Sequence, residues 1–227
     1  MRKYMTAAAL EPTDTGLLQV NVVSAENNFP IRDAEVSIAY KGDPESTVES
    51  TNTNSSGQTG EIRLAAPPLE YSLSPGLTQP YSEYTITIRA RGFAEVAISG
   101  TEILPDSLAI QPVRMTPLAG EVSPDTPIVI PDHTLYGYYP PKIAEAEVKP
   151  VAETGEIVLS RVVVPQTVVV HDGVPTDSTA PNYYVPYRDY IKNVASSEIY
   201  ATWPRSSITA NVLAIMSFTL NRVYTEW

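Results

Sequence analysis

Apolar and polar positions alternate along much of residues 16–118. The clearest runs lie at residues 17–23, 34–40 and 84–90, and weaker ones at 61–64, 94–98 and 108–115. In the second run Val36, Ile38 and Tyr40 fall on a single face, as a half-buried strand requires. A lone sheet would leave one apolar face in water. The pattern therefore predicts a two-sheet β-sandwich of immunoglobulin-like type.

Four turn and strand-entry motifs punctuate these runs. They are residues 29–36, residues 54–60, the Arg91-Gly92-Phe93 turn and residues 114–118. Their order resembles that of the carboxypeptidase regulatory-like, transthyretin-like β-sandwich, and the resemblance extends over the whole region. It implies a module that binds or braces other domains. The region contains no His and no acid pair beside a nucleophile, so we expect no chemistry there.

Proline is frequent in the next stretch, residues 119–165. The prolines there include Pro124, Pro127, Pro131, Pro140, Pro141 and Pro150. Because proline removes an amide donor and fixes φ, this stretch is predicted to run extended over the surface as a semi-rigid linker. Exposed, extended chain is also where proteases cut.

Helical periodicity begins only after Pro186. One face of the first predicted helix carries Tyr190, Ile191, Val194, Ala195 and Glu198. The pair Trp203-Pro204 ends that helix and starts a second one, since proline fits a first helical turn. The apolar stripe of the second helix consists of Ile208, Val212, Ile215, Met216, Leu220 and Val223.

Two short strands are predicted upstream of these helices, at residues 156–159 and 168–171. Residues 166–227 therefore read as an α+β segment with two helices. We expect the stripe of the second helix to lack a covering partner, which makes this segment the incomplete start of a larger domain. The predicted layout is an N-terminal segment (1–15), the sandwich (16–118), the linker (119–165) and the α+β segment.

Composition excludes several classes of function. The net charge of −11 would repel nucleic-acid phosphates and anionic lipid headgroups, so no nucleic-acid partner is expected. The absence of cysteine excludes disulfides and thiolate–zinc sites. No three clustered ligands suggest a metal, and no motif suggests a cofactor. Glu11 and Pro12 interrupt the apolar stretch near the start, and no run reaches the roughly 20 apolar residues of a membrane span.

The segment 187–204 has the most specific sequence in the chain. It places Glu198 at the end of a helix and Trp203-Pro204 just before the next one. This arrangement resembles the catalytic helix of the stage II sporulation protein D family. The continuation through residues 221–227 narrows the resemblance to clostridial spore cortex-lytic enzyme precursors. The resemblance implies a peptidoglycan lytic transglycosylase with Glu198 as its catalytic residue.

Such chemistry can run on one carboxyl group. The acid protonates the leaving glycosidic oxygen, then takes the proton from the muramyl C6 hydroxyl as that oxygen attacks the anomeric carbon. Hydrolases usually place a second carboxylate opposite the first. Apolar surroundings would help the acid keep its proton, and we expect Val194, Ile199 and Trp203 to exclude water from Glu198. A plainer interpretation is that Glu198 is a solvent-facing residue near a helix end.

Other residues near the motif have lesser predicted roles. Ser197, Tyr200 and Trp203 are candidates for binding the sugar. Asp189 lies where a carboxylate stabilises a helix N-terminus, and His171 precedes a Gly turn and reads as a turn residue.

The resemblance also implies a biological setting. The partners would be peptidoglycan glycan strands and a subtilisin-like germination protease that cuts between Lys149 and Thr167, and the location would be the spore cortex or coat. The sandwich and linker would then keep the enzyme inactive as a zymogen. The alternative is a non-catalytic cell-surface or spore-coat module, in which the sandwich binds a partner and the glutamate helix is a scaffold.

Overall fold

The computed structural model describes residues 14–73, 76–118, 127–132, 135, 163–174 and 177–225, with side chains as far as 223. The chain forms two compact units, Met1–Gly137 and Tyr138–Trp227. The boundary between them falls inside the predicted linker.

The described part of the first unit is built from strands with one short helix. The elements are β1 (Asp14–Ser24), β2 (Glu35–Tyr40), β3 (Asp43–Asn52), β4 (Ile62–Ala66), α1 (Glu70–Leu73), β5 (Ser82–Arg89), β6 (Val96–Ile103), β7 (Leu108–Met115) and β8 (Ile128–Val129). They form a three-stranded sheet in the order β4-β1-β7 and a five-stranded sheet in the order β3-β2-β5-β6-β8. The β1–β7 and β6–β8 pairs are parallel, and the other pairs are antiparallel.

The inward faces of the two sheets share one apolar core. In β1, alternate residues from Leu18 to Val22 are fully buried, as the period-2 pattern requires. They join a single cluster with Ile38 and Ile86 of the other sheet. Two sheets packed face to face around such a cluster are a β-sandwich, so the predicted mainly-β fold is confirmed.

Strand β3 is absent from the sequence-based prediction. Every residue of β3 is exposed except Thr51, which is half-buried, and its sequence is rich in Asp, Glu, Ser and Thr. An edge strand pairs on one side only and buries little of either face, so no alternation of apolar residues marks it. Its place comes instead from antiparallel pairing with β2.

Residues 128–129, which lie within the predicted linker, pair with the sandwich. Ile128 and Val129 of β8 pair with Ile98 and Ser99 of β6. A β-bulge at Gly100, with φ of +93°, lets the chain approach closely, since a Cβ there would lie 2.6 Å from the Ile130 carbonyl oxygen. The rest of the linker and the strand predicted at 156–159 lie outside the described residues.

An ion-pair cluster also holds this segment. The Lys41 ammonium group contacts the carboxylates of Glu83 and Asp132, the second at 3.1 Å. Burial lowers the pKa of Lys41, but the hydrogen bonds to both carboxylates outweigh it, so that the pKa is raised above its usual value. A raised lysine pKa contributes stability below the ordinary lysine pKa, and this is lost only as pH rises through the raised value. The cluster therefore persists throughout the neutral range.

The second unit contains a hairpin and two helices. The elements are β9 (Thr167–His171), β10 (Asn182–Pro186), α2 (Tyr187–Ser196) and α3 (Arg205–Thr225). Strands β9 and β10 pair antiparallel, with Val169 opposite Tyr184. The predicted two-helix α+β segment is confirmed. No helix among the residues described here is both long and apolar enough to cross a membrane.

The apolar stripe of α3 has a partner within the chain, contrary to expectation. Ile215 is buried in a cluster with Ile191 and Tyr187 of α2 and Val168 of β9. Val170, Val185 and the predicted stripe residues Val212, Met216, Leu220 and Val223 pack against it. The sequence prediction missed this partner because it did not pair the stripe of α3 with the apolar face of α2.

A buried threonine provides a test of the sandwich. The Thr53 hydroxyl accepts a hydrogen bond from the Ala34 amide at 2.9 Å and donates one to the Ile31 carbonyl at 2.6 Å. We expect Thr53→Val to destabilise the first unit by about 1–3 kcal/mol, because two buried backbone groups lose their partner. Hydrogen exchange at the Ala34 amide measures the loss. Thr47→Val, at an exposed position on β3, is the matched control, and an equal effect there would contradict this account.

Candidate functional site

The candidate site lies at the junction between α2 and α3. Helix α2 ends at Ser196, and the Ser197 amide donates to the carbonyls of Asn193 and Val194. The amide of Glu198 still reaches the Ala195 carbonyl at 3.1 Å. The chain then turns, and the Ser207 amide bonds the Pro204 carbonyl at 2.8 Å as α3 begins. Glu198 therefore lies in the turn just beyond α2 and not on the helix itself.

The side chain of Glu198 is exposed, and its carboxylate has one defined partner. Its Oε2 accepts a hydrogen bond from Nδ2 of Asn211 on α3, at 2.8 Å. The expectation that Val194, Ile199 and Trp203 exclude water from Glu198 is wrong. Val194 turns instead toward the core between the helices, and the helix ends before its apolar face reaches Glu198.

The three predicted sugar-binding residues have different surroundings. The Ser197 hydroxyl donates to the Asn193 carbonyl at 2.9 Å, so it caps the end of α2. Tyr200 is buried and does not offer its ring to solvent. Trp203 is half-buried in the turn before Pro204, where its amide donates to the Tyr200 carbonyl at 3.2 Å. Of the three, Trp203 keeps the surface that a sugar could stack on.

Asn211 is the polar residue beside Glu198 that sequence reasoning missed. Asn211 Oδ1 and Thr202 Oγ1 are both buried, and neither has a hydrogen-bond partner among the described residues. Asn211 lies 13 positions beyond Glu198, so neither helical spacing nor a local motif connects them. The available signal was an amide side chain inside the uncharged stretch of residues 206–221.

The other candidates have structural roles. Asp189 lies in the first turn of α2, as predicted, and pairs with Lys192 at 3.5 Å on the exposed side. Both ring nitrogens of His171 are bonded within the hairpin, Nδ1 to Asn182 Oδ1 at 2.9 Å and Nε2 to the Val174 carbonyl at 3.1 Å.

The carboxylate of Asp177, in the turn of the hairpin, is also held by a local hydrogen bond. The hydroxyl of Thr179 donates to Asp177, and this bond lowers the pKa of the Asp177 carboxyl. No group of three or more His, Asp and Glu side chains within the described ranges could hold a metal ion.

Comparison with known proteins gives partial likenesses of fold. No protein-family model matches the chain, and no curated protein matches it either. Among solved structures, a minor pilin of Streptococcus agalactiae is 13% identical over 50% of this chain and 49% of its own, with a TM-score of 0.33. The TIE protein of Bacillus anthracis is 12% identical over 46% and 17%, with a TM-score of 0.32. The 5-hydroxyisourate hydrolase of Klebsiella pneumoniae is 18% identical over 45% and 92%, with a TM-score of 0.31.

These matches are limited in extent. The chain spans about half the length of the pilin and a smaller share of the TIE protein. At TM-scores this low the likenesses carry no argument about function, and the site must be judged from its own geometry.

The contact between α2 and α3 sets the position of the site and can be tested directly. Ile215 is 7% exposed in that contact, whereas Leu213 on the same helix is 59% exposed. We expect Ile215→Ala to destabilise the second unit by about 2–5 kcal/mol, because it leaves a cavity against α2. Hydrogen exchange of the α2 and α3 amides measures the loss. Leu213→Ala, the control, should change stability by less than about 1 kcal/mol; equal effects would contradict the packing described.

Proposed function

We propose that Glu198 is the general acid and base of a peptidoglycan lytic transglycosylase, and that this chain is the N-terminal part of its precursor. The observation that carries the proposal is an accessible carboxylate at the junction of two packed helices, with Trp203-Pro204 directly after it. The carboxylate is held by one donor and is open to a polymer. A glycan strand is long and needs such an open approach.

The reaction needs only this one carboxyl group. Protonated Glu198 gives its proton to the glycosidic oxygen as the bond from that oxygen to the muramyl anomeric carbon breaks. The C6 hydroxyl of the same muramyl residue attacks the anomeric carbon and closes a 1,6-anhydro ring. The Glu198 carboxylate accepts the hydroxyl proton and returns to its starting state. Atoms and charge balance without a water molecule.

The exposure of Glu198 sets a condition on this chemistry. Bulk water favours the ionised form of a carboxyl group, and a general acid must hold its proton. We therefore propose that the bound glycan strand itself covers Glu198 and displaces its water. The half-buried Trp203, in the turn before Pro204, would carry one sugar ring.

The precursor part of the proposal concerns the chain before the second unit. Val163 and Val164 are exposed, whereas the carbonyl of Gln166 accepts a hydrogen bond from the Tyr187 amide at 2.8 Å. A cut before Pro165 would leave that bond and strand β9 intact. The germination protease would thus separate the hairpin and the two helices from the sandwich, in the cortex or coat of the spore.

The catalytic part of the proposal is tested by one substitution. We expect Glu198→Gln in the full-length gene product to abolish release of anhydro-muropeptides from cortex peptidoglycan, a loss of at least about a thousandfold, because the amide can neither give nor take the proton. Chromatography of the digest with mass detection measures the products.

The matched control is Asp189→Asn, which removes an exposed carboxylate from α2. It should retain activity close to that of the unmodified enzyme. Undiminished product from the Glu198→Gln enzyme would show that the catalytic assignment is wrong.

The activation step makes a separate prediction. We expect the mature enzyme from germinated spores to begin after Lys149 and no later than Gln166, because later cuts would break the hairpin. Sequencing of the N-terminus of the extracted protein measures this. An active enzyme that still carries its sandwich would contradict the zymogen proposal and leave the catalytic one untouched.

The second candidate function is a non-catalytic surface or coat module. The exposure of Glu198 favours it, since the described residues supply no dry pocket for an acid. The exposed pair Val169 and Tyr184 on the hairpin would then belong to a contact surface. The release of anhydro-muropeptides by the Glu198→Gln variant distinguishes the two candidate functions.

A further inference from the structure

We infer that Asn211 is the positioning residue of this site, and that it directs the catalytic proton to Oε1 of Glu198. The inference rests on the proposed function. It starts from the hydrogen bond in which Asn211 Nδ2 donates to Glu198 Oε2 at 2.8 Å.

The direction of that hydrogen bond distinguishes the two carboxyl oxygens. An amide NH₂ group only donates, so the oxygen that faces it must accept. A protonated carboxyl group carries its hydrogen on one oxygen only. A hydrogen on Oε2 would meet the amide hydrogens of Asn211, whereas a hydrogen on Oε1 meets none of them. The protonated acid therefore presents Oε1 to the glycosidic oxygen.

The orientation of the amide follows from the same contacts. If Asn211 were turned over, Oδ1 would face Oε2, and two acceptors would oppose each other. The NH₂ group would then occupy the buried position where Oδ1 now lies without a partner among the described residues. The observed orientation keeps a charge-assisted hydrogen bond, which is worth more than a neutral one. The buried Oδ1 still costs about 1–3 kcal/mol, which is expected at a functional position more than at a purely structural one.

The backbone of Asn211 is fixed by the packing of α3. Val212, its neighbour, and Ile215, one turn further on, pack into the core shared with α2. Asn211 thus has a defined place relative to the turn that carries Glu198. A free glutamate side chain loses about 1.5–2 kcal/mol of rotamer entropy when it is held in one geometry. Asn211 restricts Glu198 before any substrate arrives, so this cost does not add to the barrier of the reaction.

Two substitutions of Asn211 in the full-length enzyme test the inference. Asn211→Ala removes the donor, and Asn211→Asp keeps the shape but places an acceptor against Oε2. We expect kcat to fall about ten- to a hundredfold for Asn211→Ala and further for Asn211→Asp, with KM nearly unchanged. Asn211→Gln, which keeps an amide, should recover part of the loss. Asn193→Ala is the matched control, since Asn193 is exposed on α2.

The split between kcat and KM separates positioning from a merely structural role. A structural defect would change both constants, and Asn211→Gln would not recover the rate.

The Asn211→Ala variant is expected to fold, so that a lower kcat would not result from unfolding. Alanine has a higher helix propensity than asparagine, and Asn211→Ala also removes the buried, unpartnered Oδ1. Circular dichroism and thermal unfolding check this. Wild-type kcat in Asn211→Ala, together with loss of activity in Glu198→Gln, would overturn this inference and leave the proposed function standing. Activity that survives Glu198→Gln would overturn the proposed function instead.

Discussion

The packing of α3 on α2 is the contact on which the candidate site depends. Glu198 and Asn211 belong to different elements, and their hydrogen bond exists only while the apolar core around Ile191 and Ile215 holds the two helices together. A hydrogen bond between exposed polar side chains is too weak to impose that arrangement by itself. The hydrophobic core therefore holds α2 and α3 together, and the Glu198–Asn211 hydrogen bond forms between groups that this packing has already brought close.

The sandwich likewise combines an apolar core with a directed hydrogen bond. Its two sheets are joined by one apolar core, and the hydroxyl of Tyr84 on β5 donates to the Ala65 carbonyl on β4 at 2.8 Å, which links the sheets directly. Burial, the largest influence, raises the pKa of Tyr84, so this donor keeps its proton at any ordinary pH. These polar contacts are directed inward and brace the fold. The candidate site lies in the second unit.

Most of the fold can be predicted from the sequence where a strand or helix buries one face. Strands β1, β2 and β5 show the period-2 pattern, and the stripes of α2 and α3 show the helical one. Strand β3 escapes prediction because it buries almost nothing, and β8 because two residues are too few to form a pattern. Glu198 itself is marked by a motif, but its exposure and its contact with Asn211 are not. Both depend on where α2 ends and how α3 crosses it, and only tertiary packing decides that.

The two edges of the five-stranded sheet also have a consequence for how the protein behaves in concentrated solution. One edge is β3, where Asp43, Glu45 and Glu49 all face solvent and would repel the same row of charges on a second copy. The other edge ends in β8, which offers only a two-residue stretch of backbone for pairing. Neither edge is a good template for a strand of another molecule. The sheet is thus protected against edge-to-edge aggregation.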